Sequence, residues 1–86
     1  MIEVYFTKSF LKQIKLLENG LQTEVSEKVG LFKNKDNHIS LKVHKLNGKY
    51  KEYYSFSVNY KIRIVFIWSK NDEVILFAIG DHDVYK

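Results

Sequence analysis

The residues best able to do chemistry in this chain are one arginine, three histidines and a polar closing run. Arg63, the only arginine, sits inside "KIRIVFIWS", the most apolar stretch of the sequence. A guanidinium removed from water is costly unless it is paired. Arg63 therefore has two readings: an ion pair with Glu52 or Asp81 across a sheet, or a planar fork of donors held for a phosphate. His44 lies in "LKVHKLNGK" beside Lys42, Lys45 and Lys49, a cationic setting that suits a nucleic-acid backbone and disfavours the imidazolium. His82 follows the apolar run "EVILFAI" in the closing "GDHDVYK". A strand end holds a side chain firmly at the border with solvent, and the ordinary pKa of histidine allows acid or base work near neutrality. Asp81 and Asp83 flank it, but adjacent residues seldom converge on one ion and no HxH or HxxxH spacing is present, so no metal site is expected. His38, in "KNKDNH", reads as an exposed turn residue.

Elements must hold these side chains in place. "IEVYF" (Ile2 to Phe6) alternates like a strand, and Thr7 can cap a helix whose apolar residues Phe10, Leu11, Ile14 and Leu17 recur at helical spacing up to Glu18. Asn19 and Gly20 tolerate a left-handed backbone and are expected to close it. A second helix is expected from Leu21 to Lys35, with Leu21, Val25, Val29 and Phe32 on one face. The segment "ISLKVHKLNGK" reads mostly as loop with a turn at Asn47-Gly48. Three strands follow, Lys51 to Val58, Lys61 to Ser69 and Glu73 to Ile79, joined by turns short enough to require antiparallel neighbours. The expected fold is α+β in the order β-α-α-β-β-β, a helical hairpin on one face of a curled antiparallel sheet.

Strand parity sorts the side chains. Ile62, Ile64, Phe66 and Trp68 share the face that suits the helices, whereas Arg63, Val65 and Ile67 share the other. On the preceding strand Tyr54 and Phe56 are expected in the core and Tyr53 on the wet face. The lysines and tyrosines of "GKYKEYYSF" alternate in a way that also serves phosphate contacts and base stacking.

Eighty-six residues suffice for one domain, 1–86. No cysteine is present, so thiolate chemistry and disulfides are excluded and a reducing, cytoplasmic setting is expected. Nothing in "MIEVYFTKSF" reads as a signal peptide, and no apolar run is long enough for a membrane span. The formal charge is +4, thirteen of the fourteen cationic residues being lysine. Polyanions are natural partners for such a chain, although lysines also serve simple solubility.

The order of elements, the loop "LKVHKLNG", the mid-strand "RIVF" and the closing "IGDHDVY" resemble the RelE/ParE superfamily of type II toxin-antitoxin toxins over essentially the whole chain. Within it, RelE-like members are mRNA interferases that cut message in the ribosomal A site, whereas ParE-like members poison DNA gyrase. The resemblance implies the first activity here, with gyrase inhibition or a non-catalytic antitoxin-binding role as alternatives. It implies that Arg63 faces the scissile phosphate, that His82 is a catalytic histidine acting as acid, and that Tyr85 stacks on a base or positions the nucleophile. His44 matches the second histidine of the pattern "LKxHxLxG" and would be the base, a role also open to a neighbouring lysine. Further acidic and histidine residues of that pattern are replaced by Ser55, Ser57 and Asn59. Lys42, Lys45, Lys49 and Lys51 would hold RNA backbone. The implied partners are an acidic, partly disordered cognate antitoxin, the ribosome and its message, with no small-molecule cofactor. His82 and Tyr85 are expected against the sheet face that carries Arg63, and Asp81 and Asp83 in tuning or turn-forming roles.

Overall fold

A computed structural model describes residues 1–81 of the chain. The elements are β1 (Glu3–Phe6), α1 (Lys8–Lys15), α2 (Asn19–Phe32), β2 (His44–Lys45), β3 (Tyr54–Ser57), β4 (Ile62–Lys70) and β5 (Glu73–Asp81), with 3-10 turns at Lys35–Asn37 and Gly48–Tyr50. This is the expected α+β class, with both helices on one face of the sheet. Two details of the sheet are new. It has five strands in the order β1-β5-β4-β3-β2, because two residues of the segment read as loop, His44 and Lys45, pair with Ser55 and Tyr54. It is also mixed: β1 runs parallel to β5, from Glu3↔Glu73 to Phe6↔Leu76. The intervening helices and strands give the chain ample length to return in the same direction. With Val74 and Leu76 fully buried, β5 is too apolar to form an edge, and β1 covers it.

The helix ends follow from capping. Thr7 Oγ1 accepts the Phe10 N–H at 3.0 Å, the N-cap expected from sequence. Thr7→Ala should lower stability by about 1 kcal/mol, read as a shift of the urea midpoint at unchanged slope. Asn19 and Gly20, expected to end the first helix, instead open α2, and α1 stops at Lys15. The first amides of a helix lack intrahelical acceptors in any case, so a glycine there is tolerated. The joint is fixed by the Gln22 side chain, whose Nε2 donates to the Leu17 carbonyl at 2.8 Å.

The core lies between the helices and the expected strand face. Ile64, Phe66, Phe56, Val74 and Leu76 are fully buried there, and Tyr54, Ile62 and Trp68 pack against them. Phe32, also fully buried, is its centre, with ring centroids 4.4 Å from Phe56 and 5.0 Å from Phe66. His38 corrects its expectation of an exposed turn residue. It is half-buried, stacks on Phe32 at 4.7 Å, and donates from Nε2 to the Phe32 carbonyl at 2.8 Å. Carbonyls at a helix C-terminus lack intrahelical donors, and His38 supplies one. Beyond it, Lys35 pairs with Asp72 of the β4–β5 turn at 2.7 Å. The hydrogen bond and charge of Lys35 hold that carboxyl below its usual pKa, and the pair is too exposed to add much stability.

Candidate active site on the open sheet face

The face of the sheet turned away from the helices carries Arg63. In register, its neighbours are Ser57 on β3 and Gly80 on β5. One has a small side chain and the other none, so neither strand neighbour covers the guanidinium. From behind, the β3–β4 turn holds it: Nη1 donates to the Asn59 carbonyl at 2.7 Å and approaches the Ile62 carbonyl at 3.4 Å. The ion-pair reading is not borne out. Among the described residues, ion pairs join Lys35 to Asp72 and Lys70 to Glu73. Asp81 stands across from Ile62, on the face opposite to Arg63. Backbone carbonyls thus orient the cation, and among the described residues no carboxylate pairs with it, an arrangement suited to an incoming anion.

Asn59, legible in the sequence only as part of the turn "NY" and as a departure from a family pattern, is the residue whose carbonyl holds Arg63. Its Oδ1 accepts the amides of Lys61 and Ile62 at 2.9 and 2.8 Å, closing the turn, while its Nδ2 donates to Glu24 Oε1 of α2 at 2.8 Å. One residue later than Lys28 Nζ's contact with the Val58 carbonyl at 2.8 Å, Asn59 is the second point at which α2 fixes this turn. Asparagine next to "YK" is a turn signal; that its carbonyl receives the arginine depends on strand register.

His44 is exposed on β2, across from Ser55, which is itself across from Val65 of β4. Opposed residues point to the same face, so His44 shares the face of Arg63, displaced by two strands and two residues, roughly 12 Å between Cα atoms. Its Nδ1–H donates to the Lys42 carbonyl at 2.8 Å. In the neutral ring this places the proton on Nδ1 and leaves Nε2 as the acceptor, the form a general base requires. Lys42 adopts φ 58° to present that carbonyl, a left-handed backbone that costs a non-glycine residue roughly 1 kcal/mol or more. Lys42→Gly should therefore raise stability by about 0.5–1 kcal/mol and Lys42→Val lower it by more than 1 kcal/mol, both measurable by chemical denaturation. Between His44 and Val65, the buried Ser55 hydroxyl has no hydrogen-bond partner among the described residues.

The four lysines expected to hold backbone are all exposed, but they do not form one patch. Lys49 and Lys51 belong to the 3-10 turn leading into β3 and its cap, with Lys49 Nζ 5.2 Å from the Tyr50 ring centroid. Lys42 precedes His44. Lys45 lies opposite Tyr54, a core-facing residue, and so projects to the helix-bearing side. The expectations for His82 and Tyr85, and for Asp83, fall outside the described residues. Arg63 and His44 lie on one face of the sheet, two strands apart; the expected acid, His82, is outside the described residues.

By sequence the chain matches no family model and no curated protein. By structure it resembles a conserved hypothetical protein of Helicobacter pylori, with 24% identity, a TM-score of 0.70 and 100% of both chains covered. It also resembles the toxin-antitoxin complex RelBE2 of Mycobacterium tuberculosis, with a TM-score of 0.77, 12% identity, and coverage of 94% of this chain and 98% of the other. YafQ of Escherichia coli aligns at a TM-score of 0.72 and 15% identity, with 96% of each chain covered. Two helices on a five-stranded mixed sheet, matched from end to end in this way, give this chain the fold of the RelE- and YafQ-type toxins.

Proposed function

We propose that this chain is the toxin of a toxin-antitoxin pair and acts as a metal-independent endoribonuclease on ribosome-bound message. The observation that carries the reading is Arg63: a cation oriented by backbone carbonyls and left uncovered by Ser57 and Gly80 on the open sheet face. Cleavage of RNA without a metal needs a base for the 2′-OH, positive charge for the phosphorane and an acid for the 5′-oxygen. His44 Nε2 takes the 2′-OH proton as the 2′-oxygen attacks phosphorus. Arg63 binds the non-bridging oxygens, whose charge grows in the transition state. The P–O5′ bond breaks with a proton supplied by His82, giving a 2′,3′-cyclic phosphate and a 5′-OH. Arg63 and His44 serve the phosphodiester from the same sheet face, with their Cα atoms about 12 Å apart, while Lys42, Lys49 and Lys51 contact flanking backbone and Tyr85 packs on a base.

The antitoxin partner is part of the same reading. Phe6 and Leu11, 49% and 40% exposed, line an apolar groove with Ile14, Val29 and Leu76. An amphipathic acidic segment would cover that groove and meet the lysines of α1. Inducible expression with mapping of message 5′ ends tests the proposal. Codon-phased cuts and arrested translation are expected. Continued translation with gyrase arrest identifies a gyrase poison instead, and unaffected growth a non-catalytic protein.

A further inference from the structure

On the same open face, two neighbouring tyrosines and a phenylalanine from a distant strand form a row of rings. Tyr50 of the 3-10 turn lies 6.2 Å from Tyr53, and Tyr53 stacks on Phe77 of β5 at 5.6 Å with 27° between the planes. Tyr53 precedes Tyr54, which pairs with Phe66 of β4, and Phe77 belongs to the strand on the far side of β4. The stacked pair therefore bridges the central strand, and Val65 of that strand is only 3% exposed.

A β-bulge puts Phe77 there. Val65 pairs with Ala78 and Phe66 with Leu76, so Phe77 is the extra residue of β5, inserted between two regular pairs. Leu76 before it is fully buried on the helix side and Ile79 after it is again in the core. The insertion thus adds an aromatic ring to the open face without disturbing the core parity, the use to which bulges near functional sites are put. Tyr53 and Phe77 nevertheless remain half-buried, unlike the rings of Phe32, Phe56 and Phe66 in the core. Packing alone does not require aromatic rings at a position that stays partly wet. Lys49 Nζ lies 5.2 Å from the Tyr50 ring and Lys51 follows Tyr50 as the cap of the turn, giving the combination of flat rings and cations that binds single-stranded nucleic acid without reading sequence.

The geometry points to a base-stacking subsite: Tyr53 and Phe77, with Tyr50 at their margin, receive an unpaired nucleobase next to the phosphate held at Arg63. Tyr53 falls level with Ile67 and Phe77 between Phe66 and Val65, so the ring pair spans the stretch two to four residues along β4 from Arg63, roughly 7–13 Å along the strand, one to two nucleotide steps. The inference rests on the ribonuclease reading above, and its test separates the two.

The probes are single-stranded 2′-O-methyl RNA 12-mers, which lack the attacking hydroxyl, and an abasic chain of equal length and charge. Binding is followed by fluorescence anisotropy at low salt. The wild-type protein should bind the base-containing strand about tenfold or more tightly than the abasic one. Tyr53→Leu should bind the two alike, Tyr53→Phe should restore the preference, and the salt dependence should be the same in all three, since phosphate contacts set it. Equal binding of both strands by the wild type overturns the subsite and leaves the ribonuclease reading standing, and this comparison needs no variant to fold. Failure of the wild type to bind either strand also overturns the subsite, while the ribonuclease reading stands or falls separately on message cleavage with ribosomes present.

Discussion

Arg63→Ala should lower message cleavage by on the order of 10²- to 10³-fold and relieve growth arrest. The side chain is the only guanidinium in the chain, and among the described residues its neighbours in register are Ser57 and Gly80, neither of them a cation. On the proposed ribonuclease reading its loss removes the charge that stabilises the phosphorane, while the scaffold persists because Phe66, Ile64 and the rest of the core lie on the other face of β4. The structural cost is limited to the hydrogen bond with the Asn59 carbonyl, about 1 kcal/mol. Arg63→Lys should recover only part of the rate: a point charge replaces a fork, and a lysine cannot grip both a backbone carbonyl and a phosphate with fixed geometry. Cleavage of reporter message on purified ribosomes, with thermal melting of each variant alongside, checks both. An alanine variant that cuts at the parental rate would refute the assignment of Arg63.

The second large effect concerns stability. Phe32→Ala should cost about 3–5 kcal/mol, a large share of the roughly 4–13 kcal/mol available to a domain of this size. Phe32 is where α2 meets the sheet: its ring contacts Phe56 of β3 and Phe66 of β4, and its far face supports His38. Truncation leaves a cavity bounded by two strands and a loop, which cannot all close on it together. It also leaves the His38 ring without its stacking surface. The variant should unfold at a much lower urea concentration with an unchanged slope; Phe32→Leu, which keeps most of the volume, should fall between. An alanine variant within 1 kcal/mol of the parent would contradict the central position of this ring.

These two residues differ in how far the sequence discloses them. Phe32 falls on the apolar stripe of an amphipathic helix, and periodicity alone assigns it to the core. The face of Arg63 is likewise fixed by parity, since a strand has only two faces and Ile64, Phe66 and Trp68 occupy one. Its partner was not legible. Glu52 and Asp81 were reasonable counter-charges until register set Asp81 opposite Ile62, and the acceptor proved to be a backbone carbonyl, which every residue possesses and no sequence distinguishes. His38 failed for the same reason: a turn of polar residues reads as exposed, whereas a helix carbonyl and the Phe32 ring drew it inward. The left-handed backbone at Lys42 is invisible in a lysine.

By itself, then, the sequence determined the local elements: the Thr7 cap, the apolar stripes of both helices, the antiparallel strands and the side of the sheet on which Arg63 lies. Each follows from periodicity or from the backbone preferences of neighbouring residues, which act over a few positions. Only the tertiary structure decided the parallel pairing of β1 with β5, the promotion of His44 from loop to strand, the Asn59 hold on Arg63 and the bulge that brings Phe77 over to Tyr53. All four depend on register between segments far apart in the chain. Register is set by how the whole core packs, a property that no short stretch of sequence carries.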